Sequence, residues 1–268
     1  MDTPLNHVFF PVSYNELFAV WNRFPAAVPY AGGTYLNNDR SVFICLEKIE
    51  ELHNITRTEQ YLDIGAMVKL NRLLQLGKIA PHVLYKCVEN IAGVQVRNVA
   101  TIGGNICSPS RLLDLPAPLT ALDAQYELRN TQGSRWVLAS RFHTEEQLNL
   151  DKQEILTRIR LPLHQWDYSI YKKFRMEGFF SGEALVFLAR TQKNILTEIR
   201  VVYRGNSIIR NKDGETILNG KYLPLNRKNA DEFVENWSVF LANKHNISNF
   251  SKNAILNTIE ENVYNLSE

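Results

Sequence analysis

The sequence predicts an α+β fold, and three observations predict it. Short apolar runs that read as strands are mixed with longer runs of helical spacing, without the strict strand–helix alternation of a doubly wound sheet. At 268 residues the chain is long enough for one large core, or for two smaller ones sharing an interface. Its character changes near Asp167, and two long segments of helical spacing close the sequence.

Taken in order, the first helix is marked by the capping-box spacing of Ser13 and Glu16, with Tyr14, Leu17, Phe18 and Trp21 on one face. Val28 to Ala31 is a short apolar run leading into Gly32-Gly33-Thr34, and Val42 to Leu46 reads as a strand. Tyr61 to Val68 reads as another. A helix then turns Leu70, Leu73 and Leu74 inward and ends near Gly77. Pro81 to Ile91 suits a further helix. Next comes the unusual stretch from Arg97 to Ile106, RNVATIGGNI. Leu115 to Leu122 has helical spacing, with Pro116 and Pro118 confining the start. Ala124 to Arg129 reads as a strand and Asn130 to Ser134 as its turn, with Gly133 able to take positive φ. Ile155 to Leu161 is a strand ended by Pro162, and Val201 to Arg204 is another. Helices over 226–243 and 251–266 carry apolar faces built on Phe233, Val234, Trp237 and Leu241, and on Ile255, Ile259 and Val263. There are no repeats, low-complexity segments or long linkers.

Composition excludes several function classes. Hydrophobic residues make up 45% and charged residues 22%, ordinary for a globular protein. A formal net charge of +2 gives no sign of a nucleic-acid or membrane-surface partner. No segment reaches the roughly 20 apolar residues of a membrane span, and the first residues lack a leader pattern, so a cytoplasmic protein is expected. The three cysteines, Cys45, Cys87 and Cys107, form no CxxC pair, which fits a reducing compartment. An iron–sulfur cluster needs about four thiolates, so this chain cannot hold one alone. The six histidines show no HxxxH or HExxH spacing, and no metal ligand is assigned. No Ser/His/Asp grouping emerges, and no catalytic side chain is assigned.

The glycine pairs carry the chemistry. A dinucleotide pyrophosphate needs several backbone N–H donors, and glycines let the chain approach closely and adopt the conformations from which anion nests are made. Gly32-Gly33-Thr34 is one candidate turn and Thr101-Ile102-Gly103-Gly104-Asn105 a second, each following an apolar run as at a strand end. Taken singly, such a pair is more often a hairpin feature. Neither fits GxGxxG, and there is no GxxxxGK[ST]. Arg97 reads as an ion-pair or carbonyl anchor rather than a phosphate ligand, and Cys107 as a small buried apolar group. Lys172, Lys173 and Arg175 alone would read as a solvated basic face.

The order of these motifs decides between the readings. Ala31-Gly32-Gly33-Thr34, then Ile64-Gly65-Ala66, then Gln95 to Ile106 with its RN-x-A-T-I-G-G-N core, then Asp114 and Leu122-Asp123-Ala124, closely resembles the FAD domain of molybdenum hydroxylases. That family includes xanthine dehydrogenases and carbon monoxide dehydrogenases. The resemblance continues through Glu154-Ile155-Leu156 and 171–175, and more loosely over 215–221. It implies a two-subdomain FAD-binding module of the vanillyl-alcohol-oxidase-like (PCMH-type) fold over 1–166, split near 55–60, followed by a small C-terminal α/β domain over 167–268.

It also implies site residues. Ala31, Gly32, Gly33 and Thr34, with the neighbouring Tyr35 and Leu36, would hold the pyrophosphate. Thr101, Gly104 and Asn105, with Val96, Ala100 and Gly103 around them, would line the isoalloxazine and ribityl end. Ile91 and Ala92 would lie near the flavin. Asp114, with Ser110 before it, would bind adenosine-side or ribityl hydroxyls, unless it caps the helix holding Pro116. Leu156, with Ile155, would pack on the adenine side, and Lys172 or Lys173 would approach the flavin or its phosphates. Two positions depart from the family: Tyr35 stands where an acidic residue is common, and Leu113 where a small residue usually precedes the aspartate.

The implied partners are a large molybdopterin-binding subunit and a small subunit carrying [2Fe–2S] clusters, with NAD a possible electron acceptor. A scaffold subunit that has lost tight FAD binding, or a stand-alone flavin oxidoreductase, are the alternatives.

Overall fold

The computed structural model describes residues 7–35, 42–108, 113–144, 147–174 and 182–267. Strand β1 (His7–Phe9), helix α1 (Tyr14–Arg23) and strands β2 (Val28–Tyr30) and β3 (Val42–Cys45) open the chain. The three strands form a parallel sheet in the order β1-β3-β2. The expected α1 cap is present: the Ser13 hydroxyl accepts from the Glu16 N–H at 3.3 Å. The Glu16 carboxylate reaches back to the Val12 N–H at 2.9 Å, and Leu17, Phe18 and Trp21 face the core.

A second sheet is antiparallel and five-stranded. Its strands are β4 (Ile55–Arg57), β5 (Tyr61–Gly65), β6 (Gln125–Asn130), β7 (Gly133–Leu138) and β8 (Ile155–Pro162), in the order β4-β5-β8-β6-β7. Between β5 and β6 run helices α2 (Leu70–Leu74), α3 (His82–Glu89), α4 (Val94–Arg97), α5 (Ile102–Ile106) and α6 (Pro116–Ala121), and α7 (Ala139–Phe142) follows β7. Pro162 is the last residue of β8, where it pairs with Tyr61 at the strand end.

The remainder forms a four-stranded antiparallel sheet from β9 (Tyr168–Lys173), β10 (Ala184–Gln192), β11 (Ile195–Arg204) and β12 (Ile208–Arg210), in the order β12-β11-β10-β9. Helices α8 (Lys212–Glu215), α9 (Arg227–Ala242) and α10 (Asn249–Asn265) complete it. Strand β10 had no counterpart in the sequence reading, and β11 begins six residues before the expected Val201. The cause is burial on both faces. Leu185, Phe187, Ala189, Val201 and Tyr203 join the core against α9 and α10, while Val186, Leu188 and Val202 join the core of the first two sheets. A strand covered on both sides shows an unbroken apolar run, which periodicity cannot separate from a buried helical segment.

Candidate functional site

A cavity of about 800 Å3 opens between the parallel sheet, the start of α5 and the first residues of β8. The turn after β2 forms one of its edges. Gly33 takes φ +65°, a left-handed conformation that glycine adopts without steric cost. Gly32 lies so close to the loop before α5 that an added Cβ would stand 2.2 Å from the Val99 carbonyl oxygen. Among the described residues, none accepts from the backbone N–H groups of Gly32, Gly33 or Thr34. The turn therefore presents three free donors at the cavity edge, the arrangement an anion nest requires.

The second glycine pair behaves differently, which corrects the expectation of a turn at a strand end. It lies inside α5, whose N-cap is Thr101. The Ile102 and Gly103 N–H groups donate to the Val68 and Ala66 carbonyls, and the Gly104 N–H to the Thr101 hydroxyl. These donors are taken, so this segment is no second nest. Its role is steric: an added Cβ on Gly103 would stand 2.8 Å from the Ala66 Cβ and carbonyl oxygen, and one on Gly104 2.9 Å from the Thr101 hydroxyl, and both glycines border the cavity. Asn105 is buried, and its side-chain oxygen accepts from the Leu115 N–H at 3.1 Å.

The rest of the wall is mostly apolar, as small-molecule sites are. Phe43, Leu46 and Met67 line one part, and Leu148, Leu150, Ile155 and Leu156 another. Among the described lining residues Glu154 is the one carboxylate, and it is only 2% exposed. The Arg135 guanidinium grips both of its oxygens, at 2.8 and 2.7 Å, and the Asp151 N–H donates at 3.0 Å. Burial alone would raise the Glu154 carboxyl, but these partners outweigh it and hold the group below its ordinary value. Cys107 also borders the cavity, and burial pushes its thiol up to about 12, far from thiolate reactivity.

Twelve of the expected site residues border this one cavity: Ala31, Gly32, Gly33, Thr34, Tyr35, Ala100, Thr101, Gly103, Gly104, Asn105, Ile155 and Leu156. Leu36 and Ser110 lie outside the described residues. Ile91, Ala92, Val96, Asp114, Lys172 and Lys173 are not in the wall. Ala92 occupies a left-handed conformation, φ +44°, and the Arg97 guanidinium holds that turn by donating to the Ile91 and Ala92 carbonyls at 2.9 and 2.6 Å. Arg97 is thus a carbonyl anchor.

Asp114 does not cap the helix of Pro116, correcting that alternative: the N-cap of α6 is Leu115, without a side-chain bond. Its carboxylate instead receives Arg204 at 2.6 Å, Lys173 at 3.1 Å and Tyr171 at 3.3 Å. Lys172, pointing to the opposite side of β9, pairs with Glu261 on α10 at 3.0 Å. Leu113 stands in the wall of a cavity that remains open beside it. The residues not anticipated as site residues, such as Met67, Leu148 and Leu150, carry no sequence signal, since a lone apolar residue reads as core.

The wall suits a flavin dinucleotide in its donor set and shape: free N–H groups for a diphosphate, small residues at the helix start, and apolar surface for flat rings. Among the described residues no group of His, Cys, Asp or Glu is placed to hold a metal ion, and no helix is long and apolar enough to cross a membrane.

Comparison with known proteins follows the same line. The family model described as the FAD binding domain in molybdopterin dehydrogenase matches residues 4–164. The xanthine dehydrogenase FAD-binding subunit of Escherichia coli O157:H7 is 34% identical over 149 residues, 52% of this chain and 51% of that protein. The nicotinate dehydrogenase FAD-subunit of Eubacterium barkeri is 31% identical over 166 residues, 56% of each. The chain spans about half the length of these relatives. A CO dehydrogenase structure from Oligotropha carboxidovorans superposes with a TM-score of 0.84 at 21% identity, covering 100% of this chain and 99% of that one. Quinoline 2-oxidoreductase from Pseudomonas putida 86 gives 0.79 at 20%, covering 100% and 98%. At those identities the likeness is one of fold.

Proposed function

Since the chain belongs to the family of FAD-binding domains in molybdopterin dehydrogenases, we propose that it binds one FAD in the cavity described above, as the flavin subunit of a molybdenum-containing hydroxylase. The observation that carries this reading is the turn at Ala31 to Thr34, whose free N–H groups stand at the edge of a largely apolar cavity. Ala31 to Thr34, with Tyr35 beside them, would hold the diphosphate. Thr101, Gly104 and Asn105 would border the ribityl and ring end, and Ile155 and Leu156 the adenine. When bound, FAD supplies the electron-carrying chemistry. The protein's own residues bind and orient it, and the apolar wall excludes water.

The finer reading is that electrons come from [2Fe–2S] clusters on a small partner subunit and leave to NAD or another acceptor. A large molybdopterin subunit would act on the substrate. Ile91 and Ala92, on the turn anchored by Arg97, and Lys173, within the Asp114 cluster, remain proposed neighbours of the flavin; Lys172, engaged by Glu261 on the far side of β9, is the less suited of the two lysines. Residues 1–166 and 167–268 are the proposed domains, and a cytoplasmic location accompanies the assignment.

The test is the visible spectrum of the purified chain after addition of FAD. Flavin bands at about one FAD per chain, released on denaturation, are expected. A colourless protein that takes up no FAD would favour a scaffold role.

A further inference from the structure

The cavity wall formed by Leu148, Leu150, Ile155 and Leu156 is not held by packing alone. Behind it, Arg135 on β7 reaches across to the segment between α7 and β8. Besides its two bonds to Glu154, the guanidinium donates to the Asn149 side-chain oxygen at 3.3 Å and to the Asn149 carbonyl at 3.4 Å, and lies 3.5 Å from Asp151. Asn149 also donates its backbone N–H to the Phe142 carbonyl at 2.7 Å. The turn leading into β8 is pinned a second time: Gln153, in a left-handed conformation at φ +57°, donates its side-chain amide to the Trp21 carbonyl at 2.9 Å. Such a conformation in a non-glycine residue persists only where its surroundings enforce it.

We propose that Arg135 is a positioning residue for the cofactor, which holds the 147–156 wall against the cavity through Glu154 and Asn149 and so slows release of bound FAD. The inference rests on the FAD reading above. The asymmetry of the pair gives it force. Arg135 is 39% exposed, while Glu154 is buried at the cavity wall and needs a cation and an N–H donor to remain there charged. Without Arg135 the carboxylate is left with the Asp151 N–H alone. It would turn toward water and take the first residues of β8 with it, including Ile155 and Leu156.

The experiment loads the purified chain with FAD and follows flavin release after dilution, by the rise in flavin fluorescence, for wild type, Arg135→Gln, Arg135→Lys and a control, Arg210→Gln. Arg210 grips Glu215 with the same fork geometry, but borders no part of the cavity. The thermal midpoint of each protein without FAD is measured alongside. Release on the order of tenfold faster is expected for Arg135→Gln, with Arg135→Lys between it and wild type. Arg210→Gln should lower the midpoint yet release FAD at the wild-type rate. Release from Arg135→Gln within about twofold of wild type, or an acceleration matched by Arg210→Gln, would overturn the inference. A wild-type protein that takes up no FAD would overturn the proposed function instead.

Discussion

Gly32 shows how little room the turn proposed for the diphosphate has. With the Val99 carbonyl oxygen 2.2 Å from the position of a Cβ, Gly32→Ala must push two loops apart. The expected cost is about 1–3 kcal/mol in urea unfolding without FAD, together with weaker FAD binding, because the turn carries the free donors. His143 supplies a pH dependence. Burial lowers its imidazole from 6.5 to about 4, although the Ile106 carbonyl, accepting from Nε2 at 2.9 Å, works in the other direction. Among the described residues its buried Nδ1 has no partner. The unfolded chain takes up this proton near pH 6.5 and the folded chain only near 4, so stability falls as pH drops through that window. The ring is half-buried, and the loss is no more than about 3 kcal/mol. Urea midpoints between pH 7 and 4 for wild type and His143→Phe should converge at the acid end, and parallel curves would assign the loss to other groups. At this scale the sequence already indicated Arg97 as an anchor, while the Arg135–Glu154 grip stayed hidden because its partners are far apart in the chain.

Helix boundaries follow local chemistry closely. Ser13, Asn226 and Ser248 each accept an N–H from the first turn of α1, α9 and α10; the first two starts match residue type and spacing, while α10 begins at Asn249, two residues before the expected Ser251. The apolar stripe expected on α9 is the one that is buried, with Phe233, Trp237 and Leu241 inside. Trp237 is fully buried, and among the described residues its indole N–H finds no acceptor. Trp237→Ala should therefore cost about 3–5 kcal/mol through the cavity it leaves. Trp237→Phe should cost under about 1.5 kcal/mol, since it also removes an unpaired buried donor. Equal losses in chemical denaturation would show that the N–H is satisfied after all. Helix α5 was the element least legible in advance: two adjacent glycines argue against a helix, and its start depends on Val68 and Ala66 carbonyls from another part of the chain.

Across the whole molecule, the four-stranded sheet serves two cores. Its alternate residues face the first two sheets on one side and α9 and α10 on the other. Asp114 is tied to Arg204 and Lys173 across the same junction, and Asp123 to Arg200 at 2.8 Å and Arg210 at 3.0 Å. These links predict a single cooperative unfolding transition for the whole chain. A fragment ending at Asp167 would expose the buried face of α6 and leave Asp114 without its cations. It is expected to aggregate or lack near-UV signal, and a soluble fragment that binds FAD as tightly as the whole chain would contradict this.

By itself the sequence determined the mixed fold class, most helices, the glycine turn after β2 and the family likeness, because each rests on neighbouring residues: a cap, a periodicity, a run of motif. The tertiary structure alone decided which of the two lysines turns inward, that Asp114 joins an ion cluster instead of capping α6, and that only the first glycine pair keeps its N–H groups free. It also identified β10 as a strand shared by two cores. The reason is common to all four. Each depends on what lies opposite in space, and a side chain or an N–H group acquires its role only when the partner that satisfies it, or leaves it free, has been brought there by folding.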